Sequence, residues 1–248
     1  MTLFDVQCAL GPLGPGRREI LTAQMLLTEL DHAGIARALV RTTPTPLELD
    51  VLASNARLFA ECATAPCLLP CPVLLPAGCG DLPTEHAQLA AVLEQGAGAV
   101  AVRPRLDDWS LAPWCCGPLF QALEARRVPV LCSHDEFTLE ELAEVAGRYP
   151  ALPLVLFGVH YRQQRVLLPL LMAFPNLFLS IGTNFCEHRG VEHYSARVGS
   201  ERLLFGTGFP DVDPLAQVAY LRYADLPPAA HQQIGAGNLD RLLAEVVR

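Results

Sequence analysis

The sequence predicts an α/β protein folded as a closed (β/α)8 barrel in one domain, and three observations predict it. Eight apolar runs of strand length alternate with longer amphipathic stretches from one end of the chain to the other. Several runs, such as Leu152 to Val159, carry no charged side chain at all, which suits parallel strands covered on both faces. The 248 residues contain no low-complexity tract, linker or shift in composition, and that length is typical of one such barrel. A doubly wound open sheet is the second choice.

The units can be justified in chain order. The first strand spans residues 3–9. A glycine- and proline-rich loop follows (Gly11, Pro12, Gly14, Pro15, Gly16), whose spacing is not a dinucleotide fingerprint and whose prolines remove backbone donors. Leu21, Met25, Leu26 and Leu30 then fall at helical spacing, and Gly34 marks a stop. The second strand spans 36–41, and Thr45-Pro46-Leu47-Glu48 reads as a helix start with a cap, a first-turn proline and a capping-box glutamate. The third spans 68–74, with its helix predicted to stop by Gly96, and the fourth spans 98–103. The fifth, 128–133, precedes a second capping box at Thr138 and Glu141, an apolar stripe of Leu139, Leu142, Val145 and Ala146, and a predicted stop at Gly147. Strands at 153–159, 177–181 and 202–206 complete the set, with Gly199 as a further stop and Asp213-Pro214 as the last cap.

Composition narrows the function. A hydrophobic fraction of 51% against 18% charged residues supports a large core and excludes a disordered chain. The net charge of -8 argues against nucleic acid or an anionic membrane as the main partner. All 18 basic residues are arginine. Without lysine there is no Schiff-base amine, no P-loop lysine and no carboxylated lysine between two metals. The nine cysteines form no C-x-x-C pair and read as reduced thiols, and no signal-peptide pattern or membrane-length apolar run is present, so a cytoplasmic location is expected.

Barrels of this kind carry their sites on the loops at the carboxyl ends of the strands. Those positions hold Gln7, Cys8 and Ala9; Arg41; Cys71; Arg103 and Arg105; His134, Asp135 and Glu136; His160; Thr183 and Asn184; and Thr207, Gly208 and Asp211. His134, beside two carboxylates, is the first candidate for proton transfer, and His160 the second polar group. Against this, Asp135 and Glu136 equally suit the start of the helix capped by Thr138, and His160 equally suits a structural hydrogen bond. Arg41 and Arg103 are candidate anion clamps, because a guanidinium holds a carboxylate through two parallel hydrogen bonds; Arg105 is expected on the surface. Gln7 and Asn184 are candidate substrate contacts, although Asn184 with Thr183 better suits capping of the next segment.

At these strand ends the chain resembles the amidohydrolase-related family, in the branch that includes aminocarboxymuconate-semialdehyde decarboxylase and dicarboxylate lactonases. Asp5-Val6-Gln7-Cys8-Ala9-Leu10-Gly11 resembles its opening D-x-H-x-H-x-G, and Pro129 to His134 and Leu154 to His160 its two histidine strands. Phe205-Gly206-Thr207-Gly208-Phe209-Pro210 is similar to F-G-S-D-x-P, and Gly237 to Leu243 to a closing G-N-A-x-x-L-L helix. The resemblance implies a TIM barrel, a hydrolase or decarboxylase reaction and a divalent metal such as zinc or manganese.

The ligand positions depart from that pattern: Gln7 and Ala9 replace the first histidine pair, Gly208 replaces the aspartate, and Ser133 rather than His134 falls at the strand-five position. A catalytic zinc keeps three protein ligands and a water, so the expectation is no tightly held metal, with an atypical set completed by Cys8 or Asp211 as the alternative. The sequence therefore reads as a hydrolase-like barrel, lactonase-like in its C–O or C–N bond chemistry, that takes a small carboxylate ligand and can self-associate. A non-catalytic binding or assembly descendant is the rival.

Overall fold

The computed structural model describes residues 1–13, 19–43, 50–182 and 184–248. Its elements are β1 (Phe4–Pro12), β2 (Ile20–Leu21), α1 (Ala23–Ala33), β3 (Arg37–Thr42), α2 (Val51–Cys62), β4 (Leu68–Pro70), α3 (Glu85–Glu94), β5 (Val100–Ala101), α4 (Pro113–Ala125), β6 (Val130–Ser133), α5 (Leu139–Arg148), β7 (Leu154–Phe157), α6 (Gln164–Ala173), β8 (Leu177–Ser180), α7 (Gly190–Val198), β9 (Leu203–Leu204), α8 (Pro214–Arg222), α9 (Pro228–Gln232) and α10 (Asn238–Ala244). The eight predicted strands are all present, several of them trimmed to their central pairs. β2 is an addition: it folds back antiparallel on the end of β1, pairing Gly11 with Leu21 and Pro12 with Ile20.

The parallel strands form two sheets, β1-β3-β4 with β2 at the edge, and β5-β6-β7-β8-β9. Backbone hydrogen bonds join them at both seams. Ala101 N donates to Pro72 O at 2.9 Å and Leu74 N to Ala101 O at 3.2 Å, while Val6 N donates to Phe205 O and Ala9 N to Phe209 O, both at 3.0 Å. The strands thus run in a ring, as in a TIM barrel.

Side-chain alternation along these strands separates two apolar clusters. Leu131, Val155, Phe157, Phe178 and Leu204 pack inside the ring with Phe4, Val6, Leu39, Val73 and Ala101. Their neighbours Val130, Cys132, Leu154, Leu156, Leu177 and Leu179 pack outward in the larger cluster with the helices. Leu239 and Leu242 of α10 belong to the inner cluster. The opposite, carboxyl end of the ring is where the polar residues gather.

Several local signals take the predicted form. The Thr138 hydroxyl accepts from Glu141 N and the Glu141 carboxylate from Thr138 N, completing the capping box of α5. Asp213 caps α8 ahead of Pro214, and Gly34 ends α1 at a positive φ of 70°. Gly147 does not stop its helix: α5 continues to Arg148, and a Cβ at 147 would meet the Phe174 ring at 3.3 Å, so the glycine serves the close approach of a neighbouring segment. The predicted box at Thr45 to Glu48 and the glycines at 14 and 16 lie outside the described residues. Among the described residues no helix is long and apolar enough to cross a membrane.

Candidate functional site

The carboxyl end of the ring has two halves of different character. On the side of β1, β8 and β9 it is filled. Asp5, fully buried, accepts hydrogen bonds from Gln7 N at 2.8 Å, Thr207 N at 3.0 Å, the Cys8 thiol at 3.1 Å and the Thr207 hydroxyl. Burial raises the Asp5 pKa, and the hydrogen bonds from Thr207, Gln7 and Cys8 oppose that rise. Burial, reinforced by Asp5, likewise pushes the Cys8 thiol well up, so Cys8 is a protonated donor. Gln7 turns its amide to Ser180, whose hydroxyl donates to Gln7 Oε1 at 3.2 Å. The pair fits only because glycines surround it: a Cβ at Gly182 would overlap Gln7 Oε1, and one at Gly206 would overlap Ser180 Oγ.

On the side of β3 to β7 the mouth is open, with a cavity of about 140 Å3. Val73, Ala101, Leu131 and Phe157 form its apolar surface, and Arg41, Thr42, Arg103, Ser133, Asp135 and Glu136 supply its polar groups. Arg41 follows Leu39 and Val40 on β3, so strand alternation brings it to the inner face above Leu39. Its guanidinium lies 5.0 Å over the Phe157 ring and donates from Nη1 to Thr42 O at 3.3 Å. Its Nε is buried without a hydrogen-bond partner among the described residues. Burial lowers the Arg41 pKa, and the carboxylate of Asp211 is the strongest opposing influence. An arginine nonetheless stays charged. Thr42 is only 3% exposed, and its hydroxyl is also buried without a partner among the described residues.

Arg103 is differently placed. Its Nε donates to Asp107 Oδ2 at 3.0 Å and its Nη2 to Asp107 Oδ1 at 2.8 Å, a two-pronged ion pair whose side chains are 5% and 4% exposed. Burial raises the Asp107 pKa despite the pull of Arg103. The clamp face of Arg103 is thus already occupied by a carboxylate of its own chain. The Glu136 carboxylate accepts from Arg105 N at 2.7 Å and Leu106 N at 3.1 Å, tying the 104–107 turn to the end of β6. Arg105 itself points outward, 48% exposed, to Glu141.

The histidines do not meet in this cavity. Ser133 lines it, in phase with the inward Leu131, whereas His134 lies one residue further and outside the wall, with Nδ1 buried and unpartnered. His160 is exposed, accepts from Arg162 N at 3.2 Å through Nδ1 and packs at a tilt against the Tyr161 ring, so it caps the short 3₁₀ turn Tyr161–Gln163. Asn184 braces two loops, donating to Gly158 O at 3.1 Å and accepting from Tyr161 N at 3.2 Å. Thr183 lies outside the described residues. Of the six residues singled out from sequence, then, Arg41 and Arg103 share the cavity, Gln7 fills the neighbouring half, and His134, His160 and Asn184 lie around the rim. Asp107, Thr42 and the Phe157 ring were missed; the spacing of Arg103 and Asp107, four residues apart, was the one signal available for the first of them.

The family described as amidohydrolase matches residues 26–244. Among curated proteins no sequence matches. Similar solved structures include an uncharacterized TIM-barrel protein from Bordetella bronchiseptica, 19% identical over 100% of both chains with a TM-score of 0.76. A putative 2-pyrone-4,6-dicarboxylic acid hydrolase from Pseudomonas putida is 17% identical over 98% of both chains, with a TM-score of 0.73. A dihydroxybenzoic acid decarboxylase from a Polaromonas species, with bound manganese and the inhibitor 2-nitroresorcinol, is 15% identical over 98% of this chain and 97% of that one, with a TM-score of 0.72. At these identities the likeness is one of fold.

The side chains here do not fit a divalent metal of the kind that relative holds. Gln7 spends its carbonyl oxygen on Ser180, Ala9 and Gly208 have no side-chain donor, and Cys8 is a protonated donor to Asp5. Asp211 is exposed, and no group of three His, Cys, Asp or Glu side chains that could hold a metal occurs among the described residues.

Proposed function

The chain belongs to the amidohydrolase family, and on that premise we propose that it takes a small carboxylated molecule into the cavity at the mouth of its barrel, for hydrolysis or decarboxylation. One observation carries the reading: Arg41 and Thr42 line the same cavity, and Arg41 Nε and Thr42 Oγ1 are buried beside it with no hydrogen-bond partner among the described residues. Unmade hydrogen bonds of this kind are costly, most of all at a charged group, and a carboxylate would satisfy both donors at once. The apolar surface of Val73, Ala101, Leu131 and Phe157 then receives the body of the ligand, and the volume restricts it to a small one.

Arg41 binds and orients the carboxylate, Thr42 adds a second donor, and Ser133 offers a hydroxyl across the cavity. His134, adjoining Ser133, is the proton-transfer residue of this reading, and turning its ring toward the cavity brings it into play. His160 keeps its capping role and takes no part. The rival, a binder without turnover, is favoured by the filled half of the mouth, where Gln7 and Ser180 occupy the side that the resemblance gives to the first metal ligands.

Calorimetric titration with small monocarboxylates, followed by turnover assays on those that bind, tests the reading. The expected result is binding that weakens about tenfold or more in Arg41→Gln, the loss of one charge-assisted hydrogen bond. Turnover that disappears in His134→Ala while binding persists supports the enzyme, and binding with no turnover of any ligand supports the rival. Equal affinity in wild type and Arg41→Gln overturns the placement of the ligand.

A further inference from the structure

We infer that the Arg41 guanidinium is the resident cation of this mouth and holds the ligand's carboxylate in the role that a divalent metal plays in metal-bearing barrels of the same fold. The inference rests on the carboxylate reading above and says what supplies its positive charge.

The first support is the exclusion of donors. An ion in the filled half would need Gln7 released from Ser180, yet the space around that pair is closed by the backbone at Gly182 and Gly206. The second is charge. Arg41 makes no ion pair among the described residues, and its electrostatic neighbours are Asp211, the thiols of Cys71 and Cys8, and Arg103. Burial raises both thiols, so neither offers a thiolate. A divalent ion placed beside this guanidinium would meet repulsion, and the carboxylate that acts on Arg41 itself is that of the exposed Asp211. The third is economy of cations. Arg103 is held by Asp107 through both of its prongs, and Asp135 and Glu136 add negative charge on the opposite wall. The sequence has no lysine, and Arg41, which makes no such ion pair, brings to the cavity a buried guanidinium whose Nε has no hydrogen-bond partner among the described residues.

This arrangement predicts a site for one carboxylate. A guanidinium fork recognises two oxygens in a plane, and the carboxylates on the wall and rim repel a second anionic group.

The test uses the whole protein and sodium benzoate as the probe. The protein is treated with a chelator and dialysed, then titrated with benzoate before and after addition of manganese chloride, while equilibrium dialysis measures bound manganese. Benzoate affinity is expected to be unchanged by chelation or by manganese, to fall about tenfold or more in Arg41→Gln, and to return partly in Arg41→Gly when guanidinium ion is supplied in solution. Matching circular dichroism and thermal unfolding certify that the variants are folded, and the guanidinium rescue keeps the test decisive if Arg41→Gln is not. Stoichiometric manganese, or benzoate binding that vanishes on chelation and returns with manganese, overturns the inference while leaving the carboxylate reading intact. Failure of benzoate to bind wild type under either condition overturns both.

Discussion

The buried pair Arg103–Asp107 offers the sharpest test of the energetics at the barrel mouth. Both side chains are almost wholly enclosed, and the two hydrogen bonds of 3.0 and 2.8 Å are well formed, yet folding raises the Asp107 pKa. Loss of hydration therefore outweighs what Arg103 returns. For a carboxyl raised on folding, the native state binds the extra proton between the unfolded and folded pKa values. Its contribution to stability is present below the ordinary carboxyl value of 3.8 and is lost as pH rises through the folded value. Removing one partner is much worse than removing both. Asp107→Leu takes the carboxylate from a buried guanidinium and is expected to cost about 3–5 kcal/mol, roughly 6–20 °C in Tm for a chain of this size. The double variant Arg103→Met, Asp107→Leu replaces the pair with packed apolar groups and should lie within about 1 kcal/mol of wild type, or above it. Urea unfolding at neutral pH of the wild type, both singles and the double closes the cycle. Costs that simply add, or an Asp107→Leu variant as stable as wild type, would refute the claim that hydration loss governs this pair.

Four further outcomes follow from the same geometry. Thr207→Val removes the hydroxyl that donates to Asp5 and accepts from Phe209 N at 3.1 Å, and should cost about 1.5–3 kcal/mol in urea unfolding; a loss below that range would show that the seam does not depend on it. Gly182→Ala overfills the space beside Gln7 and should cost about 1–3 kcal/mol, with most of it recovered in Gly182→Ala, Gln7→Ala, and no recovery would remove Gln7 as the cause. The hydrogen bond from Arg127 holds the Glu245 carboxyl below its usual 4.5, so its stabilising contribution is present above pH 4.5 and is lost as pH falls through the lower folded value; the stability difference between wild type and Glu245→Gln should shrink over that interval, and a pH-independent difference would contradict the assignment. Alkylation of the native protein followed by mass spectrometry should modify the exposed Cys79 and Cys186 first and leave Cys8, Cys71 and Cys132 untouched until unfolding, whereas early labelling of Cys8 would show that its thiol is not locked on Asp5.

The barrel was legible because its signals are redundant. Each strand is announced by its own apolar run, each crossover by a helical stripe, and caps such as Thr138–Glu141 and Asp213–Pro214 rest on local chemistry that tertiary packing reinforces. Where one signal stood alone it misled: Gly147 looks like a helix stop in sequence, but its role is set by Phe174, 27 residues away and visible only in the fold. The return of β2 onto β1 was equally hidden, because two residues are too few to carry a period.

The candidate site was read less well, and the reason is phase. In a strand, a shift of one residue moves a side chain from the ring's interior to its outer face. On β6 the inward series runs through Leu131 to Ser133, so the imidazole of His134 falls outside the cavity wall although it stands beside it in sequence. On β1 the register shifts between Asp5 and Cys8, which turns Cys8 back to Asp5 while Gln7 reaches Ser180. Composition could say that a histidine and two carboxylates follow a strand, but only the register says which of them the cavity sees. Arg41 escaped the ambiguity because it lies within a strand paired on both sides, Ala9 opposite it on β1 and Val40–Pro70 just before it on β4, so its phase is fixed by neighbours rather than by a loop. A long side chain held at a fixed phase, with its guanidinium Nε unpartnered among the described residues, is the positive charge that the proposed carboxylate would meet.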